Sequence, residues 1–210
     1  MFISLLLTEP LLFSRVVLIL LISVSLHELA HGFAALSQGD DTPVLTGHMT
    51  ANPAVHLGWP SIIMLCLAGI VWGQMPVNPQ KFRSQKWGSI LVAASGPLVN
   101  LGLALFAIAV LALVTAQGLD HIISLTFFFL IARINLVLFL FNLLPIPPLD
   151  GFHVLSEIIP SFKPLKDSPF GMAVLMIIFV TGVSSVLFDG ANAVIQALLN
   201  VINVGMLATN

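Results

Sequence analysis

This chain is short of charge. Asp, Glu, Lys and Arg together make up 8% of its 210 residues, where a soluble domain carries about 25%. That shortage excludes an ordinary water-soluble fold. With 58% hydrophobic residues and a mean hydropathy of +1.08, the expected class is a polytopic membrane protein. Basic residues are scarce too: seven Lys and Arg stand against nine Asp and Glu, for a net charge of -2. No basic patch is left to neutralise phosphates, so no nucleic-acid partner is expected. Cysteine occurs once, as Cys66, which rules out an internal disulfide; in its apolar stretch it reads as a small packing residue. No basic n-region leads the first apolar run, and Glu9-Pro10 interrupts it, so the start does not read as a cleaved signal peptide. No internal repeat and no appended soluble domain is visible.

What is present is a series of long apolar segments. The spacing predicts an all-α chain forming one membrane-embedded domain over 1–210. Its expected spans are 11–36, 89–116, 122–144 and 170–188, with a short helix at 149–158. Residues 61–74 are apolar but too few for an easy crossing, which suits a re-entrant or interfacial element. Residues 42–59 read as a polar loop, with short strands in it conceivable. The stretch 191–207 is amphipathic: Asn192, Gln196, Asn200 and Asn203 recur at helical spacing, so it either lies at the interface, packs its stripe on the bundle, or spans.

Within the first segment stands His27-Glu28-Leu29-Ala30-His31. Two histidines four residues apart share one helix face and can hold one metal ion, with the adjacent glutamate placed to act as a base on water. From Leu11 to Leu36 the only other charge is Arg15. Ionisable groups grouped in a bilayer-length helix are costly without a role. A hydrolytic site needs a third ligand and an open position. Asp120, Glu157, Asp167 and Asp189 lie in turns or beyond the spans. Asp150 stands out because Pro145, Pro147 and Pro148 break the end of a span just before it. An alternative use of Asp150 is as a helix N-cap before Gly151.

Charge tests whether these residues can meet. The loops 75–88 and 163–166 hold five of the seven basic residues, and the positive-inside rule puts both in the cytoplasm. Segment 89–116 then runs outward and 122–144 inward, leaving Asp150 at the cytoplasmic end. For His27 and His31 to reach it, the first segment must also run inward and 61–74 must enter and return on one side. The expected location is thus a multi-pass cell membrane protein with its site toward the cytoplasm.

With these residues in place, the chain resembles the site-2 protease family of intramembrane zinc metalloproteases, in its compact bacterial branch. The resemblance runs from His27 to Gly151. Beyond the first motif it is carried by Met75-Pro76-Val77-Asn78-Pro79, Ala94-Ser95-Gly96-Pro97-Leu98-Val99-Asn100 and Asn142-Leu143-Leu144-Pro145-Ile146-Pro147-Pro148-Leu149-Asp150-Gly151. It implies one zinc ion per chain held by His27, His31 and Asp150, Glu28 as the base, and a core of three transmembrane helices carrying the motifs, with one or two C-terminal helices besides. It also implies transmembrane protein substrates, met in the lipid bilayer. No PDZ or CBS module is recognisable.

Other residues carry weaker expectations. Asn142 is a candidate for stabilising the oxyanion, or it bonds a neighbouring helix. His153 either supports the site or makes an interfacial polar contact. His48 and His56 are expected as solvated loop residues, and Arg133 in a structural role. Gly96, Pro97 and Asn100 suit close helix packing and a kink, Asn100 with a possible substrate contact. The loop 42–59 and the short element 61–74 are expected to act together, an edge strand there pairing with an unwound substrate, with proline substitutions across 44–50 as its test. The rival to a protease is a divalent-metal transporter using His27, His31 and Asp150 as a transit site, and a third reading is an inactive membrane scaffold.

Overall fold

The computed structural model of the chain describes residues 2–119, 121–166, 169–181 and 184–208. Asp120 and Asp167, set aside above as ligands, lie outside them. Among the described residues there are helices and no strands: α1 (Ser4–Thr8), α2 (Pro10–Ser37), α3 (Thr42–Leu45), α4 (Pro53–Ala68), α5 (Gln85–Gln117), α6 (Leu125–Asn142), α7 (Asp150–Ile158), α8 (Pro169–Val180) and α9 (Ser184–Ala208), with 3-10 turns at Pro79–Lys81 and Pro160–Leu165.

Local chemistry sets the ends. α2 starts with Pro10 in its first turn, where a missing N–H costs nothing, and gives way at Gly39, whose φ of 93° favours glycine. Ser84 and Ser124 cap α5 and α6, accepting from Trp87 N and Phe127 N. α6 stops just before Pro145, and α7 restarts at Asp150 after a turn holding the cis Pro147-Pro148 peptide.

Among the described residues, four helices are long and apolar enough to cross a membrane, at Pro10–Ser37, Gln85–Gln117, Leu125–Asn142 and Ser185–Ile202. Their outer faces carry exposed Leu18, Leu105, Phe106 and Leu113, as expected of lipid-facing surface. The protein is a multi-pass membrane protein. Its core sits on both sides of α6. On one side Ala132 and Leu136 pack with Ala104, Ala107 and Ile108 of α5 and with Ala191 and Ile195 of α9; on the other, Ile134 packs with Ile19 and Leu20 of α2 and Leu65 of α4. The alanines let backbones approach closely, the usual means of holding helices together in lipid.

Several stretches differ from the sequence reading. Residues 42–59 are largely helical rather than loop or strand. Pro43 and Pro53 each occupy the first turn of a helix, and the Asn52 side chain caps α4 at Ala54 N. The 61–74 element is therefore two pieces: the C-terminal part of α4, which kinks at Gly58 (φ 67°, ψ 159°), and an irregular return from Gly69 to Asn78. Ser61 Oγ ties the two together, donating to Trp72 O (2.7 Å) and accepting from Trp72 N (2.9 Å), while Gln74 N donates to His56 O (2.9 Å). Beyond α7, the long apolar window falls on α9 rather than on 170–188, because α8 has only 12 residues. Gly182 and Val183, within that expected span, lie outside the described residues. Within the polar stripe of α9, Gln196 and Asn200 are exposed and Asn192 is half-buried with its Oδ1 enclosed, while the neighbouring Ala191 and Ile195 are buried.

Candidate metal centre

Helical spacing puts His27 and His31 on the inner face of α2, both buried, with Nε2 atoms 3.0 Å apart. Asp150, in the first turn of α7, brings Oδ2 to 3.1 Å from His27 Nε2 and 3.5 Å from His31 Nε2. Leu149, not Asp150, stands at the N-cap position of α7. One atom from each of the three residues lies within 4.8 Å of the others.

Hydrogen bonds fix what these atoms present to one another. His31 Nδ1 lies 2.7 Å from the Val92 carbonyl, which can only accept, so Nδ1 carries the proton and Nε2 offers a lone pair. At His27 the direction is set from further away. Asn135 Nδ2 donates to Ile131 O (2.9 Å), Asn100 Nδ2 donates to Asn135 Oδ1 (3.1 Å), and Asn100 Oδ1 faces His27 Nδ1 at 2.7 Å. The chain ends on a carbonyl, so every amide in it has one orientation, and His27 Nδ1 must donate. Two Nε2 lone pairs and a carboxylate oxygen therefore converge. Such a donor set repels itself unless a cation sits among it, and imidazole and carboxylate suit a divalent ion such as zinc.

Asn100 and Asn135 are both fully buried, and Asn135 escaped the sequence reading. Its signal was an amide in an apolar helix, but nothing local said where it pointed. Asn100 supports a ligand; the packing role belongs to Gly96 beside it. A β-carbon at Gly96 would lie 2.5 Å from His31 Nε2 and 2.6 Å from His27 Nε2. Gly151 does the same for the third ligand, since a side chain there would meet the Leu143 backbone at the end of α6.

Glu28 is buried beside the cluster and lines a cavity of about 860 Å³ together with the three ligand residues, Asn142 and His153. The irregular return crosses directly over it: a β-carbon at Gly73 would sit 2.5 Å from Glu28 Oε1. Asn142 reaches the cavity with one N–H spent on Leu138 O (3.0 Å), leaving a second. Burial, with the Lys166 ammonium nearby, holds the His153 imidazole below its usual range. His56 is not solvated. It is fully buried, with Nε2 donating to Thr50 O at 2.6 Å, while His48 is half-buried, with Nδ1 3.0 Å from Thr46 O. Asp40, also missed, is buried where α2 ends and accepts from Thr42 N (3.0 Å) and Asn78 N (2.6 Å), pinning the far end of the return.

Comparison with known proteins follows the same residues. The model of peptidase family M50 matches residues 15–185, a range holding the whole cluster and cavity centre. YwhC of Bacillus subtilis, whose name makes it a candidate zinc metalloprotease, is 37% identical over 187 residues, covering 84% of this chain and 85% of that one. Rip2 of Mycobacterium tuberculosis, named likewise, is 29% identical over 171 residues, covering 76% of this chain and 64% of its own length. The similarly named sll0528 of Synechocystis is 32% identical over 142 residues, 68% of this chain and 30% of that protein. No solved structure matches.

Proposed function

The chain belongs to peptidase family M50, the site-2 protease family, and from that premise we propose that it is an intramembrane zinc metalloprotease that hydrolyses peptide bonds in or near transmembrane segments of other membrane proteins. The observation that carries the reading is the convergence of His27, His31 and Asp150 beside Glu28 in a cavity walled by α2 and α6, two bilayer-length helices. Zinc, when bound there by those three residues, supplies a Lewis acid that acidifies water and polarises a carbonyl. The protein's own groups do the rest. Glu28 takes the proton from the attacking water and returns it to the leaving amine. The second N–H of Asn142 faces the cavity as a donor for charge developing on the scissile carbonyl oxygen. Asn100 and Val92 hold the imidazoles in the tautomer a metal requires.

A helix hides its peptide bonds, so the substrate has to be held unwound. Within the joint element expected from 42–59 and 61–74, the return at 70–78 is the stretch that offers this edge. Trp72 and Gln74 turn their backbone N–H groups toward α4. In an extended chain the odd residues 71, 73 and 75 then face the opposite way, and no backbone hydrogen bond engages them among the described residues. A substrate strand laid along that edge would pass Gly73 and Glu28 together. The basic loops near the C-terminal end of the return and near α7 support a site opening to the cytoplasm.

The test uses wild type and Glu28→Gln in proteoliposomes, read by zinc content and by cleavage of a membrane-spanning reporter. We expect equal zinc, with cleavage in wild type alone. Equal cleavage by both proteins would remove Glu28 as the base, and zinc flux without cleavage would favour transport.

A further inference from the structure

α6 turns Leu130, Arg133, Val137 and Phe141 to the cavity at helical spacing. Arg133 is the only Lys or Arg among the residues lining it. Its guanidinium carbon lies 4.9 Å from the centroid of the Phe188 ring on α9. Its Nε is buried without a hydrogen-bond partner, and no ion pair among the described residues involves it. The nearby acids of the cavity are engaged elsewhere, Asp150 facing the two histidines and Glu28 under Gly73.

Its depth follows from the amide chain. Asn135, two residues further along α6, is joined through Asn100 to His27. Arg133 therefore lies about 3 Å along the helix axis from the level of that chain. The cavity holds a fixed positive charge close to the depth of the metal ligands, in an α6 wall whose other lining residues from Leu130 to Phe141 are aliphatic or aromatic. The Phe188 ring, within cation–π distance of the guanidinium carbon, answers part of its charge. An aromatic ring accepts no hydrogen bond in the plane of the fork, and the buried Nε on its edge is left without an acceptor.

We propose that Arg133 is a specificity-determining residue that selects transmembrane substrates carrying an Asp or Glu side chain within the segment held in the cavity. The inference rests on the intramembrane protease reading. A carboxylate is the planar acceptor that matches the fork in two places, and an acid in a substrate's membrane segment is as costly alone as Arg133 is. Docking joins the two unpaired ions. A purely apolar segment instead seals the guanidinium away from any acceptor, and sites built around a buried polar group reject ligands that leave it unanswered.

The test is a reporter with one apolar transmembrane segment, scanned with single Asp substitutions and matched Asn controls, presented in zwitterionic vesicles. At one register, wild type is expected to cleave the Asp reporter with kcat/KM at least about tenfold above its Asn twin. That ratio falls to one in Arg133→Met, survives in part in Arg133→Lys, and inverts toward a Lys reporter in Arg133→Glu; a merely structural role does not invert a charge preference. A second measurement needs no turnover: Glu28→Gln, alone and combined with Arg133→Met, is titrated with the fluorescent Asp and Asn segments. Tighter binding of the Asp segment only where Arg133 is present supports the inference. Equal treatment of Asp and Asn at every register in both assays overturns it, as does a preference that persists in Arg133→Met. If wild type cleaves no reporter, the protease reading fails, and the binding titration still decides whether Arg133 selects a carboxylate.

Discussion

Gly73 passes so close to Glu28 that a β-carbon on the glycine would lie 2.5 Å from Oε1 of the glutamate. Gly96 stands against His31 Nε2 at the same distance, so two glycines shape two different parts of one site. Gly73→Ala is expected to displace the carboxylate or the return, lowering reporter cleavage about a hundredfold with zinc content unchanged. Gly96→Ala is expected to push the imidazoles apart and weaken zinc affinity at least about tenfold. Metal analysis of both purified variants beside a cleavage assay checks the contrast; zinc loss in the first, or full zinc in the second, would contradict it.

Asn135→Leu removes the anchor that orients the Asn100 amide. His27 then loses the fixed acceptor for its Nδ1 proton, and zinc affinity is expected to drop about 10-fold to 100-fold. A competition titration against a chromogenic chelator reads this directly. Asn135→Asp, which keeps an acceptor toward Asn100 Nδ2, is expected to lose less.

Asp40→Ala leaves the half-buried N–H groups of Thr42 and Asn78 without their acceptor, a loss of about 1 kcal/mol for each such group. Hydrogen exchange should rise across residues 70–78 while the centre of α5 keeps its protection. Unchanged exchange in the return would show that Asp40 does not pin it.

Glu157 is buried, and burial works against its charge, but the ammonium groups of Lys163 (2.7 Å) and Lys166 (2.9 Å) hold its carboxyl below the ordinary range. A group depressed in the folded state contributes stability that is fully present above its unfolded pKa, near 4.5, and is lost as pH falls through the lower folded value. Wild type should therefore melt above Glu157→Gln at pH 7, with the gap closing as the pH drops below that range. A gap that stays constant down to pH 3 would remove the ion pairs as its cause.

Much of this was legible locally. The i, i+4 spacing of His27 and His31 is a property of one helix, and so is the interruption of α6 by Pro145. Charge in the loops 75–88 and 163–166 restricts which ends can share a side. These features depend on neighbours within a few residues, and a one-dimensional reading reaches them. Residues 42–59 were harder: polar side chains suggested loop, whereas Pro43, Asn52 and Pro53 are helix starters whose effect depends on the apolar residues after them being buried.

The sequence by itself determined the class of protein, the two imidazoles and their glutamate, and the acid beyond the broken helix. Tertiary structure alone decided that Asn135 steers His27, 108 positions before it, through Asn100, that Gly73 is the residue of the return that passes Glu28, and that Arg133 meets Phe188 instead of an acid. Each of these is a contact between helices. An amide or a guanidinium in an apolar run announces that it needs a partner, but only the packing of α2, α5, α6 and α9 says which one it finds.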